Sequence, residues 1–310
     1  MENATLEKQT AEQKKPRKRR LGDRKDGRLL RTLYPMNKLM PYIMRTRNDA
    51  CNQFSDSIDM TETDPYIRNK IKEGKVHFSF LHVLLAAYVR TVAKRPEINR
   101  FVSAKKIYAR NKIEVNMVIK TTMSADSPDT CIKVYFEPTD TIDDIYEKFN
   151  AAVQAVKDAS DQKSDKESGF EKLLRIICSL PSFMLTPVIN CLIWMDSWNI
   201  LPQALSGVLP FHGSLIVTSM GSLGIRPIYH HLYNFGNLPI FVAYGNKRME
   251  LTLDEDGNVY KKRMIDLKVV TDERICDGYI YASAFKTWRT YLEHPAVLDQ
   301  PPTEVREDID

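Results

Sequence analysis

The sequence predicts an α+β fold in which mostly antiparallel strands pack against helices. Apolar residues recur at helical spacing over residues 77–94 and again after Gly278. Two β-rich runs, residues 113–120 and 131–136, flank the polar turn 124–129 and are typical of an antiparallel hairpin. The final third of the chain is also dense in strand-like runs. Long strands with helices packed on them indicate an α+β domain with a sizeable core.

The first predicted elements lie between residues 51 and 94. Residues 51–61 alternate partly between apolar and polar side chains, which favours a strand, and residues 64–73 form a polar helical stretch. Residues 77–94 end before Pro96, as a helix does ahead of a proline. They are therefore predicted as a core helix.

A further helix is predicted after the hairpin, over residues 141–159. Thr141 is a possible N-cap, and Asp143 and Asp144 lie in the first turn, where the helix dipole favours acidic side chains. The polar stretch 160–169 that follows is predicted as a linker inside the domain.

Residues 173–201 are the most hydrophobic part of the chain, and the sixteen residues 180–195 carry no charge. Pro181 and Pro187 interrupt this stretch, and a bilayer span needs about 20 predominantly apolar residues, so we do not expect a transmembrane helix. We predict a helix pair that is buried in the core or in an oligomer interface. An interfacial membrane helix that acts together with the basic N-terminal residues is the alternative.

The final third supplies the remaining strands and the last helix. Residues 214–220 and 240–244 are short β-rich runs, Asp256-Gly257 is a turn signal, and residues 259–271 begin with strand alternation. The last helix follows Gly278, because four apolar side chains recur there at helical spacing before Pro295: Tyr281, Phe285, Trp288 and Leu292.

The positive charge of the chain is concentrated in residues 1–32. This segment holds eleven Lys and Arg against five acidic residues, so its net charge of +6 exceeds the +5 of the whole chain and leaves the remainder near −1. We predict a disordered basic arm over residues 1–32, a folded domain over residues 33–299 and an acidic tail over residues 300–310. The near-neutral body argues against specific nucleic-acid binding, whereas the arm could contact an anionic partner or a membrane surface.

The cysteines give no sign of a disulfide framework or a metal site. The five are scattered, odd in number and without Cys-x-x-Cys spacing. Residues 1–32 also lack the apolar stretch of a secretory signal. We therefore expect a cytoplasmic protein without a bound metal.

Residues 272–278, Asp-Glu-Arg-Ile-Cys-Asp-Gly, leave a predicted strand and enter the last helix. They resemble the Asp-His-Arg-x-x-Asp-Gly signature of the dihydrolipoyl acyltransferase cores of 2-oxo acid dehydrogenase complexes, with Glu273 in the place of the family's histidine. Residues 212–221 resemble the Gly-Gly-x-Phe-Thr-Ile-Ser-Asn-Leu-Gly strand of that family, and residues 96–99 resemble its Pro-Glu-x-Asn turn. In this order the three motifs indicate a similarity over residues 34–298, with a more distant one to chloramphenicol acetyltransferase.

The resemblance implies a chloramphenicol acetyltransferase-like two-layer fold and a homotrimer with active sites between subunits. In such a site an acyl-coenzyme A and an acceptor thiol enter a channel from opposite ends. Carried onto this sequence, the hydroxyl that stabilises the tetrahedral oxyanion is that of Thr218, the structural ion pair falls to Asp277, and Glu273 stands where the family's histidine abstracts a proton. Coenzyme A or acyl-coenzyme A is then the expected substrate, and no covalently bound cofactor is expected.

A second alignment of the signature is available because the chain contains a His-His pair. Residues 230–236, His-His-Leu-Tyr-Asn-Phe-Gly, mimic the acetyltransferase pattern His-His-x-x-x-Asp-Gly with Phe235 in the place of the aspartate. Gly236 leads into a strand, whereas Gly278 leads into a helix near the C-terminus, so the Glu273 alignment is favoured. His230 or His231 remains an alternative source of a base.

Glutamate differs from histidine as a catalytic base. Its ordinary pKa of about 4.3, against about 6.5 for histidine, makes it the weaker base, although burial can raise that pKa. An ionised carboxylate also cannot donate a hydrogen bond, and it repels a developing oxyanion. Cys276, three residues after Glu273 in the motif, is predicted to be a buried packing residue and not a nucleophile.

Two hypotheses about function follow. The first is an acyltransferase that moves an acyl group between coenzyme A and an unidentified, thiol-like acceptor. The second is a catalytically inactive trimeric scaffold or interaction protein with the same fold. The chain shows no lipoyl domain and no Ala/Pro-rich linker, which disfavours a conventional role as the core of a dehydrogenase complex.

Overall fold

The computed structural model describes residues 18–120, 129–161 and 169–310. In chain order its strands are β1 (Gly27–Leu29), β2 (Cys51–Asp59), β3 (Arg100–Ser103), β4 (Lys106–Arg110), β5 (Ile113–Lys120), β6 (Asp129–Phe136), β7 (Leu215–Ser219), β8 (Ile240–Leu253) and β9 (Val259–Asp272). Its helices are α1 (Pro35–Ile43), α2 (Thr63–Lys72), α3 (Phe80–Lys94), α4 (Ile142–Asp161), α5 (Gly169–Cys178), α6 (Ser182–Ser197), α7 (Gln203–Val208) and α8 (Gly278–Glu293). Short 3-10 helices lie at Pro96–Asn99, Gly221–Leu223 and Pro295–Asp299.

The main sheet has six strands in the order β2-β9-β8-β7-β5-β6. β2 and β8 pair antiparallel with β9, and β5 pairs antiparallel with β6. Only β7 pairs parallel, with β5 on one side and β8 on the other. A smaller sheet has the order β1-β4-β3. The predicted α+β fold with a mixed, mostly antiparallel sheet is therefore confirmed.

One face of the six-stranded sheet is covered by helices. Leu215 and Val217 of β7 belong to the main core cluster, together with residues of α3, α4 and α8. We call this side of the sheet the helix face. Because side chains alternate along a strand, Ile216 and Thr218 point to the opposite side, which we call the open face. There Ile216 joins Phe241 and Val270 in a second, smaller cluster.

Helix α3 is the centre of the core. All of its residues except Lys94 are buried, so the helix is enclosed on every side. Its N-terminus is closed by a capping box between Ser79 and His82. Helix α8 packs against it, and the Trp288 indole N–H donates to the Leu84 carbonyl at 3.3 Å. This is the core helix that the spacing of residues 77–94 predicts.

The predicted boundaries of the folded domain are wrong at the N-terminus. Residues 27–29 form strand β1, which pairs with β4, and the Arg24 side chain is buried. Gly27 lies so close to Phe101 that a Cβ there would come within 2.5 Å of its ring. Residues 18–32 are thus part of the fold and not of a disordered arm. Residues 1–17 lie outside the described part of the chain.

The C-terminal residues are likewise part of the folded unit and do not form a separate acidic tail. Asp308 is buried against Arg100, with its Oδ2 accepting from Arg100 Nε at 2.6 Å. Asp310 accepts hydrogen bonds through its backbone carbonyl from the backbone N–H groups of Arg31 and Thr32. Residues 308–310 are therefore joined to residues 31–32 by backbone hydrogen bonds and to Arg100 by an ion pair, contacts that no local sequence pattern indicates.

The predicted linker and the apolar stretch also differ from expectation. Helix α4 runs to Asp161 and α5 begins at Gly169, so both ends of the predicted linker 160–169 are helical, and residues 162–168 lie outside the described part of the chain. Residues 173–201 do form helices, but Asp196 is the only buried residue of α6, which contradicts burial in the core of the chain. No helix within the described residues is both long and apolar enough to cross a bilayer.

Candidate functional site

The segment after β9 contains a buried ion cluster. Asp272 is 1% exposed, and its carboxylate is held by the Arg274 guanidinium through two bonds, Nε to Oδ1 at 2.8 Å and Nη2 to Oδ2 at 2.7 Å. Arg47, also buried, places its Nε 3.4 Å from Asp272 Oδ2. Burial lowers the pKa of the Arg47 guanidinium, and the charge of Asp272 opposes that effect. The cluster locks the end of β9 to the loop before β2.

Glu273 follows this cluster and is only half-buried. Its backbone N–H donates to the Ala50 carbonyl at 2.8 Å, which continues the pairing of β9 with β2 by one residue. Within the described part of the chain, the Glu273 carboxylate makes no hydrogen bond and no ion pair. Among the three acidic residues of the motif, Glu273 is therefore the one whose carboxylate makes no hydrogen bond or ion pair within the described residues, and it is accessible to a ligand or to a second subunit.

Within the described residues, Asp277 does not make the structural ion pair that the resemblance implies. Its side chain is exposed and caps helix α8, with Oδ1 accepting from the Ile280 backbone N–H at 2.9 Å. The buried ion pair belongs to Asp272, the first residue of the motif. Cys276 is buried as predicted, and burial raises the pKa of its thiol, which makes it a poor nucleophile.

Thr218 lies on β7 with its side chain on the open face. Within the described residues its hydroxyl has no hydrogen-bond partner, and the residue is half-buried. Strand register aligns Thr218 with Ala243 on β8, and Ala243 with Lys268 on β9. Lys268 shares the open face, and its ammonium lies 4.7 Å from the centre of the Tyr229 ring. Lys268 is a candidate that the sequence reasoning missed, because only the register of three strands places it in the row of Thr218.

Thr218 and Glu273 are far apart within one chain. Glu273 lies five residues beyond Lys268, which shares the row of Thr218, so the two are separated by roughly 17 Å along the strands and by two strand spacings, about 10 Å, across them. No single copy of the chain brings the hydroxyl and the carboxylate together. A site that uses both needs residues from two copies.

The His-His pair lies nearer to Thr218. The His230 ring stacks on Phe241 at a centroid distance of 4.3 Å, and Phe241 is paired with Ile216, two residues before Thr218. Phe241 is thus roughly 8 Å from Thr218 between Cα atoms, on the same face. Burial, and then the neighbouring His231, lower the pKa of His230, so its imidazole is neutral at pH 7. Its Nε2 is buried without a hydrogen bond, whereas His231 is exposed.

A separate polar cavity of about 360 Å³ lies near the start of β7 and includes His212. Its central contact joins the buried His212 to Asp196 of α6, with Nε2 and Oδ1 3.2 Å apart. Arg24 Nη2 lies 3.3 Å from the same oxygen. Burial would raise the pKa of Asp196, but the interactions with His212 and Arg24 outweigh it and hold this pKa below its ordinary value. Asp196 is therefore ionised, and it ties α6 to the body.

Neither site has the donor set of a metal centre. Within residues 18–120, 129–161 and 169–310, no group of three His, Cys, Asp or Glu side chains converges as metal ligands would. The chemistry that these sites can support is proton transfer by Glu273 or His230 and hydrogen bonding by the Thr218 hydroxyl.

No family sequence model and no curated protein matches this chain. Solved structures, however, do match this chain. A probable dihydrolipoamide acetyltransferase from Listeria monocytogenes superposes with a TM-score of 0.54 at 12% identity, covering 85% of this chain and 95% of its own. Dihydrolipoamide acetyltransferase of Azotobacter vinelandii gives 0.52 at 11% identity over 85% and 88%. A chloramphenicol acetyltransferase gives 0.51 at 10% identity over 86% and 99%.

These likenesses extend over nearly the whole length of both partners, so they describe the domain and not a shared fragment. At 10–12% identity they establish the fold alone. They agree with the three motifs that suggested the resemblance. The chain has the chloramphenicol acetyltransferase-like fold of the dihydrolipoyl acyltransferase catalytic cores.

Proposed function

We propose that this protein is an acyltransferase that moves an acyl group between coenzyme A and a thiol-like acceptor. The observation that carries the proposal is the Thr218 hydroxyl, which is unpartnered within the described chain and lies on the open face of a sheet with the acyltransferase fold. We further propose that the protein acts in the cytoplasm as a homotrimer, without a covalently bound cofactor.

The proposed reaction needs a base and an oxyanion donor. The base takes the proton of the acceptor thiol, whose sulfur attacks the thioester carbonyl of acyl-coenzyme A. The carbonyl oxygen becomes an oxyanion that accepts a hydrogen bond from Thr218. Collapse of this intermediate breaks the bond to the coenzyme A sulfur, which leaves as a thiolate and recovers the proton from the base. The acceptor keeps the acyl group.

Glu273 of a second copy is the base that the trimeric arrangement favours. Its free carboxylate and its distance from Thr218 in one chain both fit a site between subunits. His230 is the alternative base, because it is neutral at pH 7 and lies on the same face of the same chain as Thr218. Asp272, which both Arg47 and Arg274 neutralise, supports the site without taking part in proton transfer.

The competing candidate is an inactive scaffold of the same fold. It is favoured by one observation: Glu273 would place a negative charge where the oxyanion develops. The scaffold hypothesis predicts that neither coenzyme A nor acetyl-coenzyme A binds.

The hydroxyl role is tested with purified full-length protein, acetyl-coenzyme A and a small dithiol, by quantifying released coenzyme A chromatographically. We expect Thr218→Ala to lower kcat by roughly 10²-fold, as loss of one oxyanion donor does, and Thr218→Ser to retain most of the activity. Thr252→Ala, a half-exposed threonine near the far end of β8, is the matched control. A folded wild-type protein that neither binds coenzyme A by calorimetry nor releases it would establish the scaffold instead.

The position of the base is tested by mixing inactive variants. If the site lies between subunits, Glu273→Ala and Thr218→Ala are each at least tenfold slower, and unfolding and refolding them together recovers part of the activity through mixed oligomers. If His230 is the base, His230→Ala is inactive, Glu273→Ala stays active, and a mixture of His230→Ala with Thr218→Ala recovers activity only when those two residues act from different copies.

A further inference from the structure

Helices α5 and α6 expose an unusual amount of apolar surface. On α6, Phe183 is 79% exposed and Trp194 56%, and Trp198 just after the helix is 68% exposed. Other exposed large apolar side chains of this region are Ile176, Met184, Ile189, Ile193 and Ile200. We call residues 169–197 the apolar helix pair. An exposed apolar surface of this size marks a site that a membrane or another molecule covers.

The apolar helix pair is attached to the body at one end. Asp196, the buried residue of α6, is bound there by Arg24 and His212. Neither α5 nor α6 packs extensively against another described helix or strand. The opposite end, at Phe183, therefore stands away from the body, and the attachment is electrostatic instead of a packed apolar interface.

Charged and aromatic side chains occupy different positions along the apolar helix pair. The twenty residues 176–195 contain no Asp, Glu, Lys or Arg, while Lys172 and Arg175 precede them. Phe183 marks the far end, and Trp194 lies near the attached end. Eleven residues of helix separate these two aromatics, which is about 16 Å. Half of a hydrocarbon core of about 30 Å has nearly the same thickness.

A second apolar surface adjoins the attached end. Helix α1 exposes Met36, Leu39, Tyr42 and Ile43. A cavity of about 280 Å³ is lined both by Pro41 of α1 and by Ile193 of α6, so the two helices meet there. Arg45 and Lys105 line the same cavity and are exposed. The attached end of the pair is thus surrounded by cations and by aromatic side chains.

We propose that the apolar helix pair inserts into one leaflet of a bilayer that contains anionic lipids. Phe183 enters the hydrocarbon, Trp194 and Trp198 lie at the interface as membrane tryptophans do, and Arg45, Lys105 and Lys172 meet the head groups. One face of α6, with Leu185, Val188, Leu192 and Met195, is half-buried, and the exposed apolar side chains Phe183, Met184, Ile189, Ile193 and Trp194 are spread around the rest of the helix. Lipid chains can surround so wide an apolar surface, whereas a protein partner would cover one side of it. The proposal does not depend on acyl transfer.

The test uses the full-length protein without any substrate. It is floated with vesicles of phosphatidylcholine and phosphatidylglycerol, and with vesicles of phosphatidylcholine alone. We expect binding to both, stronger to the anionic vesicles, and Phe183→Glu to lower the partition coefficient at least tenfold. Leu251→Glu replaces a leucine that is 68% exposed on β8 and should leave binding unchanged. Trp288 is 3% exposed, so a blue shift of tryptophan emission on binding reports Trp194 and Trp198.

Two outcomes would overturn the proposal. Wild-type protein that does not float with either vesicle contradicts it directly. If, in addition, Phe183→Glu converts an oligomer into a smaller species by light scattering without vesicles, the pair covers a second copy of this chain. Binding that Phe183→Glu and Leu251→Glu reduce equally would also contradict insertion, because the contact would then not be specific to the pair.

Discussion

Helices α3 and α6 have nearly the same length, fifteen and sixteen residues, and are both strongly apolar, but their surroundings are opposite. Nearly every side chain of α3 is buried between the six-stranded sheet and helix α8. On α6 only Asp196 is buried. Apolar composition therefore indicates that another surface will cover a helix, but it does not indicate which surface that is. For α3 the cover is this chain, whereas the described residues bury only Asp196 of α6, and we propose that a lipid leaflet covers the rest.

The largest expected difference in the free energy of unfolding is between alanine substitutions of two matched phenylalanines, one on α3 and one on α6. Phe80, 5% exposed at the start of α3, packs edge-on against Tyr244 at 5.5 Å. Phe80→Ala should lower the free energy of unfolding by about 3–5 kcal/mol, because it leaves a cavity in the core. Phe183→Ala on α6 should change it by no more than about 0.5 kcal/mol, since this side chain is 79% exposed and the substitution removes little apolar contact. Urea unfolding in lipid-free buffer measures both. Equal losses would mean that α6 is packed after all.

The next effect concerns the attachment of α6 through Asp196. The pKa of the Asp196 carboxyl is lowered in the folded protein. The stability that its carboxylate contributes is therefore present above the unfolded-state pKa of about 3.9 and is lost as the pH falls through the folded-state pKa. Wild-type protein should therefore lose more stability than Asp196→Asn between about pH 6 and about pH 2. Urea midpoints across this range give the difference. Parallel curves would show that the contacts of Asp196 with Arg24 and His212 do not hold the helix pair.

The smallest expected effect on the free energy of unfolding concerns the N-terminal caps of α8 and α6. Asp277 caps α8 through its side chain, whereas the N-cap of α6 is Pro181, which makes no side-chain cap. Asp277→Ala should cost about 1 kcal/mol, and Ser182→Ala on α6 close to nothing. Thermal unfolding monitored by circular dichroism resolves this difference. A loss of about 3–5 kcal/mol at Asp277 would instead restore the buried ion-pair role that the resemblance implied.

Much of the fold could be predicted because its signals are local. The spacing in residues 77–94, the hairpin of β5 and β6, and the Thr141 cap all depend on neighbours in sequence, and each lies where it was expected. Strand β1 was missed because three residues within a basic segment become a strand only by pairing with β4, about eighty residues away in sequence. The contacts of Asp308 and Asp310 escaped prediction for the same reason.

The candidate site was predicted in part. The sequence led to Thr218 and Glu273, and the structure shows both as partly exposed groups without partners in the described chain. It could not indicate that Asp272, and not Asp277, makes the buried ion pair, because Arg47 comes from a loop more than two hundred residues away. It also could not place Lys268 and His230 on the face of Thr218, because that depends on the register of β7, β8 and β9.

The sequence by itself determined the fold class, the core helices and the one residue, Glu273, that stands in the place of the motif's histidine, because periodicity, caps and motif order are properties of neighbouring residues. Only the tertiary structure decided which acid is neutralised, how far Glu273 lies from Thr218, and that the described residues leave most of α6 exposed. These features depend on strand register and on long-range ion pairs. Such interactions stabilise the protein only when segments that are distant in sequence meet in a low-dielectric interior.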